Sequence, residues 1–131
     1  FGSAGLRDKK KRRIMAQISA DLADLTILTA EDPRTESLDE ILDEMAQGLA
    51  VTGGIEGKTF WRIPDRGGAI RFGLKLAYPG DLVIACGKGH EQSMCFGDIE
   101  YPWDDRTAMR AALAEYLQLE GPDMPFLPTQ E

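Results

Sequence analysis

Two short apolar runs constrain this chain more than any other feature. They are Leu25–Thr29 (LTILT) and Leu82–Cys86 (LVIAC). Each is too short for a buried helix and rich in β-branched residues, so each is expected to be a buried strand. Each ends in a polar loop built for tight turns: "AEDPRTE" after the first and "GKGHEQ" after the second. Amphipathic helical patterns separate the runs. Strands alternating with helices predict an α/β fold, a Rossmann-like three-layer sandwich with a mainly parallel sheet.

The helices follow from spacing and caps. Ile14, Ile18, Leu22 and Leu25 fall near helical spacing, with Met15 and Ala16 filling in, and predict an amphipathic helix over Lys9–Ala23. Ser37 and Glu40 form a capping-box pattern, with Leu38, Ile41, Leu42, Met45 and Leu49 facing inward. Lys58–Ile63 (KTFWRI) reads as an edge strand. Asp65 caps a third helix through Ala77, with Ala69, Ile70, Leu74 and Ala77 inward. "YPGD" makes a turn. "SMCF" and "IEYPW", joined by Gly-Asp, form a hairpin. Asp104 or Asp105 caps a last helix through about Leu117. The stretch 120–131, with its prolines, is expected to be an irregular tail, partly disordered. "FGSAG" reads as the end of a strand entering a glycine turn, so the first strand of the sheet is expected to be truncated.

Composition excludes several classes. No apolar run approaches the roughly 20 residues that span a bilayer, so no membrane insertion is expected. Two cysteines, Cys86 and Cys95, build no disulfide framework; they suit a reducing, cytoplasmic setting and read as small core residues. Net charge is −7, but Arg7–Arg13 (RDKKKRR) holds six basic residues and one acid. A basic block on an acidic body points to a local anion site and away from a nucleic-acid surface. Basic residues in the first turn of a helix oppose its dipole; either they hold an anion or they form a solvated charged face.

Several motif-like stretches fail on spacing. "EGKT" lacks the upstream glycine of a phosphate loop, since position 52 is Thr52, and a strand rather than a helix follows it. "GSAGLRD" is not GxGxxG. One histidine and two separated cysteines give no usual metal-ligand set. Cys86 or Cys95 near His90 offers a nucleophile–base pair with no orienting acid.

In open parallel sheets, ligands bind beyond the carboxyl ends of the strands. Three loops share that position: "GSAGLRDKKKRR", "AEDPRTE" and "GKGHE". Arg7 and Arg34 can each fork onto a carboxylate. Asp32 and Glu91 can accept from an ammonium group, and Gly87 and Gly89 let backbone approach a ligand. Together they describe a receptor for a zwitterion such as a free amino acid with a second amino group. The competing reading is that these charges pair with one another at the surface.

"FGSAGLRDKKKRRIM", "LTAEDPRTE", "GDLVIACGKGHE" and "YPWDDRTAMRAAL" occur in the order found in the carboxy-terminal domain of the Mur ligases, and the chain resembles their UDP-N-acetylmuramoyl-tripeptide synthetase (MurE) type from Phe1 to about Leu117. The resemblance implies a domain over 1–119 that binds the incoming amino acid, with 120–131 as a tail. It implies ATP-dependent peptide ligation in peptidoglycan synthesis: a diamino acid is added to UDP-MurNAc-L-Ala-D-Glu, with ATP and Mg2+ bound mainly by a central domain outside this chain. No catalytic or metal-binding residue is then expected here. The implied substrate-binding residues are Arg7, Asp32, Pro33, Arg34, Gly87 and Glu91, with Lys11 facing the nucleotide. Arg34 favours meso-diaminopimelate. Asp32 stands where the family carries Asn, Leu6 where an acid is common and Lys10 where glycine is common; the extra carboxylate of Asp32 leaves lysine or ornithine open. The alternative is an independent Rossmann-like module that binds a small anion or a partner without catalysis.

Overall fold

The computed structural model describes residues 1–130. It is a mixed α/β structure, and its elements in chain order are α1 (Lys10–Leu22), β1 (Thr26–Leu28), α2 (Leu38–Ala50), β2 (Phe60–Arg62), α3 (Arg66–Leu76), β3 (Ser93–Phe96), β4 (Ile99–Pro102) and α4 (Asp105–Leu117). Among the described residues, no helix is long and apolar enough to cross a membrane.

β1 and β2 are parallel, with Thr26 opposite Phe60, Ile27 opposite Trp61 and Leu28 opposite Arg62. α2 is the crossover that parallel pairing requires. On one side, Leu28 and Phe60 pack with Ala16 of α1 and with Ile41, Leu42, Met45, Ala46 and Leu49 of α2. A second cluster gathers Ala30, Ile70 of α3, Met94 of β3, Trp103, Ala108 and Ala112 of α4, and Leu127. β3 and β4 form a separate antiparallel hairpin, turned at Gly97 with φ +61°.

The helix caps behave as local chemistry dictates. Ser37 Oγ accepts from the Glu40 N–H at 3.3 Å, Asp65 Oδ2 from the Gly68 N–H at 2.6 Å, and Asp104 Oδ1 from the Arg106 N–H at 2.8 Å. Each satisfies an amide that the first helical turn leaves unpaired.

Four expectations are corrected. First, Asp81–Cys86 is not a strand: it makes no ladder pairing, and Leu82 and Ile84 are 81% and 65% exposed. A cleft of about 480 Å³ lies between this segment and β1, lined by Leu25, Ile27, Ile70, Val83 and Ile84 among others. A strand's stability comes from a paired neighbour, and across this cleft no ladder bond forms. On that edge, among the described residues, β1 is paired at Phe1, whose amino group donates to Ile27 O at 3.0 Å and whose carbonyl accepts from the Thr29 N–H at 3.0 Å.

Second, α1 buries a different face from the one its isoleucines suggest. Ile14, Ile18 and Leu22 are all more than half exposed, whereas Ala16 and Arg12 are fully buried. α1 packs closely on α2 at Gly48, where an added Cβ would lie 2.9 Å from Ala16 Cβ. Small residues set that approach, and they outweigh the larger apolar side chains on the opposite face. Third, Cys86 is exposed and Cys95 half-buried, so neither is a core residue. Fourth, the stretch after α4 lacks helix and strand but is not loose: Leu127 is fully buried, and Thr129 Oγ1 donates to Asp65 Oδ1 at 2.9 Å. Its apolar side chains complete the second cluster. Glu131 lies outside the described residues.

Candidate functional site

The "AEDPR" loop leaves β1 and is strapped to β3. The Arg34 N–H donates to Cys95 O at 3.1 Å, and the Gly97 N–H donates to Arg34 O at 2.7 Å. The loop bends through two left-handed non-glycine residues, Asp32 (φ 38°) and Arg34 (φ 55°). Such conformations cost roughly 1 kcal/mol or more, so the surrounding bonds must hold them. The Gly2–Arg7 loop lies against the same turn. The Gly5 N–H donates to Asp32 O at 2.9 Å, and a Cβ on Gly5 would fall 1.9 Å from Pro33 O. Pro33 is buried under that contact. Arg7 therefore emerges beside the "EDPR" turn.

The "GKGHE" loop reaches this turn through Lys88. The Lys88 side chain is 1% exposed, and its ammonium donates to Asp32 Oδ1 at 2.9 Å and Asp32 Oδ2 at 3.0 Å and is ion-paired with Glu91 Oε2 at 2.8 Å. Burial alone would lower its pKa. The bonds from Glu91 and Asp32 more than offset that, so Lys88 stays charged with a pKa above the usual lysine value. Asp32 Oδ1 also accepts from the Cys95 N–H at 2.8 Å. Gly87 has φ +106°, a conformation that L side chains rarely adopt, and it lies directly against the Glu31 carboxylate. Burial pushes Glu31 above its ordinary pKa, against the pull of Arg66 and Lys88.

Arg66 explains how the two loops converge without a continuous ladder. It is 1% exposed. Its guanidinium donates to Ala30 O at 3.1 Å and to Cys86 O at 2.8 Å, joining the residues just before the two loops. Its Nε and Nη2 fork onto Asp105 at 2.8 Å each, and Trp103 Nε1 donates to the same Asp105 at 2.8 Å. Burial would raise the Asp105 pKa; the bonds from Arg66 and Trp103 more than reverse this and lower it.

Part of the basic block serves the interior. Arg12 is fully buried, and its Nη1 and Nη2 fork onto Glu36 at 2.8 Å each, with Glu44 at 3.2 Å from Nη1. Lys9 lies 3.3 Å from Glu36. Glu36 also accepts from the Leu6 N–H at 3.0 Å, which ties the Gly2–Arg7 loop to the start of α2. The Arg12 fork, with the Leu6 N–H, lowers the Glu36 pKa from 4.5 to about 2.

The sequence-derived residues therefore divide. Asp32, Pro33, Gly87 and Glu91 are joined through Lys88 and the loop contacts. Arg34 projects from the same turn, and its guanidinium makes no hydrogen bond or ion pair among the described residues. Arg7 and Lys11 are exposed, and their side chains likewise have no such partner among the described residues. Sequence reasoning missed Lys88, Arg66 and the Arg12–Glu36 pair. Lys88 carried a signal: two acids directed at one site call for a nearby cation. Nothing local pairs Arg66 with Asp105, 39 positions away.

Arg7 and Arg34 thus come from two loops bonded to each other, and the half-exposed Glu91 from a third loop held to Asp32 through Lys88. Among the described residues, no three His, Cys, Asp or Glu side chains are grouped to hold a metal ion.

The sequence matches the family described as "Mur ligase, glutamate ligase domain" over residues 1–89. It is 46% identical over 115 residues to a UDP-N-acetylmuramyl-tripeptide synthetase of Roseiflexus sp. (strain RS-1), covering 88% of this chain and 23% of that protein. It is 42% identical to a UDP-N-acetylmuramoyl-L-alanyl-D-glutamate–2,6-diaminopimelate ligase of Synechocystis sp. (strain ATCC 27184 / PCC 6803 / Kazusa), covering 86% of this chain and 21% of that protein. A solved structure of a ligase with the latter name superposes with a TM-score of 0.78 at 36% identity, covering 89% of this chain and 23% of that one. The chain thus spans less than a quarter of the length of these relatives.

Proposed function

Since this chain belongs to the Mur ligase family through its glutamate ligase domain, we propose that it is the amino-acid-binding part of an ATP-dependent peptide ligase that adds meso-diaminopimelate to UDP-MurNAc-L-Ala-D-Glu in peptidoglycan synthesis. Residues 1–119 form the binding domain and 120–131 its tail, whose Leu127 and Thr129 pack against it. The family membership sets aside an unrelated anion-binding module.

One observation carries the reading. The "EDPR" and "GKGHE" loops are bonded to each other, and the guanidinium of Arg34, beside them, has no partner among the described residues. Arg34 supplies a planar fork for the ligand's far carboxylate, Arg7 a second cation from the adjoining loop, and Glu91 an acceptor for the far ammonium. Gly87 keeps that wall of the site thin. Pro33 and Asp32 set the turn from which Arg34 projects. Lys11, on the exposed side of α1, faces the nucleotide.

The whole enzyme's partners are then the diamino acid, the UDP-linked dipeptide and ATP with Mg2+, working in the cytoplasm without nucleic acid. Among the described residues no His, Cys, Asp or Glu cluster is grouped to hold a metal ion, and the nucleotide and metal belong to the rest of the enzyme in this reading. The part of this chain is to hold and orient the incoming amine, which saves the entropy of bringing two reactants together.

Calorimetric titration tests this with meso-diaminopimelate, L-lysine and L-ornithine on the chain and on Arg34→Ala. Selective binding of diaminopimelate, weakened about tenfold or more in the variant, is the expected result. Preference for lysine or ornithine, or no effect of Arg34→Ala, would overturn it.

A further inference from the structure

Asp32 introduces a second acid into the "EDPR" turn, and the unsettled question is what that charge does to ligand choice. An ammonium group has three N–H donors. On Lys88 they face the carboxylates of the site: the ammonium donates to both oxygens of Asp32, at 2.9 and 3.0 Å, and is ion-paired with Glu91 Oε2 at 2.8 Å. The Asp32 side chain is 16% exposed, and its Oδ1 accepts a further bond from the Cys95 N–H. Asp32 is thus spent on the protein. The Glu91 side chain is 52% exposed and keeps its second oxygen for solvent or a ligand.

We propose that Lys88 is a specificity-determining residue: as a built-in ammonium it cancels Asp32, so that Arg34 stays free for a carboxylate and the site selects a diamino acid whose far end carries both ammonium and carboxylate over one ending in a bare ammonium. This rests on the amino-acid-binding reading above. The charge count makes the case. Asp32, Glu91 and Lys88 sum to one negative charge, enough for one ammonium. Arg34, two residues from Asp32, contributes a cation with no partner among the described residues. Without Lys88, the freed Asp32 carboxylate would lie beside Arg34, compete with a ligand carboxylate for its fork, and attract a ligand ammonium. Burial makes the effect large, because charges on a nearly buried pair are weakly screened. Lys88 touches protein carboxylates and acts through them. It is a positioning residue, distinct from the groups that meet the ligand.

The test is the ratio of diaminopimelate to L-lysine affinity, which a general loss of structure would not shift in one direction. It is measured calorimetrically on the chain, on Lys88→Met and on Lys88→Met/Asp32→Asn, with a thermal melt of each. Lys88→Met is expected to lower the ratio about tenfold or more, and the double variant to return it to within about threefold of the parent. The double variant leaves no unpaired buried acid at Asp32, so it keeps the question answerable if Lys88→Met melts early. An unchanged ratio in both variants, with the parent still selecting diaminopimelate, would overturn the role of Lys88 and leave the functional reading standing. A parent that binds none of the three ligands would overturn the functional reading and this inference with it.

Discussion

Replacing Glu36 by Gln should expose how the basic block holds the site loops in place. The carboxylate faces both Nη atoms of the fully buried Arg12 at 2.8 Å and accepts from the Leu6 N–H at 3.0 Å; its side chain is 13% exposed. Those contacts lower its pKa from 4.5 to about 2. At about 1.4 kcal/mol for each pH unit, that displacement sets an upper limit of roughly 3 kcal/mol of stability at neutral pH, which solvent screening reduces. Glu44, 3.2 Å from Arg12, still offsets part of the buried charge, so Glu36→Gln is expected to cost about 2–3 kcal/mol. The sign follows from a lowered carboxylate. The stabilisation is complete above pH 4.5, shrinks as pH falls below it, and is gone once pH passes about 2. Urea unfolding of parent and variant at pH 7, and at intervals down to pH 2, would measure the gap. A gap below about 0.5 kcal/mol at pH 7, the range of an exposed ion pair, would refute the reasoning. So would a gap of constant size down to pH 2, since a steric loss has no such pH dependence. Because Glu36 also fixes the amide of Leu6, the variant should loosen the Gly2–Arg7 loop, seen as faster amide exchange there.

Three further outcomes follow from particular contacts. Arg66→Met leaves Asp105 buried without its cation and frees Ala30 O and Cys86 O, and should cost about 3–5 kcal/mol in urea unfolding. Gly48→Ala drives a methyl to 2.9 Å from Ala16 Cβ and 3.2 Å from the Arg13 backbone; the α1–α2 contact should lose about 1–3 kcal/mol, read as a lower melting temperature. Ile41→Ala, fully buried, should cost about 2–5 kcal/mol, whereas Ile84→Ser, 65% exposed, should cost under about 1 kcal/mol. Equal losses at these two positions would mean that Asp81–Cys86 is buried in solution.

Much of the local architecture was legible before any coordinates. Ser37, Asp65 and Asp104 cap helices because a side-chain oxygen three or fewer residues upstream reaches a free amide, and that chemistry is written within a few residues. The Gly-Asp turn of the hairpin and the position of the "EDPR" loop after β1 are equally local. Asp32, Arg34 and Glu91 could be picked out by residue type and by place.

Burial and pairing were a different matter, because they depend on residues far away in the chain. Ile14, Ile18 and Leu22 have helical spacing, yet the close fit of Ala16 to Gly48 turns them outward. Leu82–Cys86 has the composition of a central strand, yet a ladder needs a partner edge, and a cleft separates it from β1. The basic block was readable as charge, but only the fold turned Arg12 inward to meet Glu36. The sequence by itself determined which residue types stand at the ends of the apolar runs. Tertiary structure decided which of those charges remain free. Lys88 and Asp32, 56 positions apart, cancel each other, while Arg34 has no partner among the described residues, because electrostatic pairing is a matter of distance in space and burial, neither of which a linear order of residues contains.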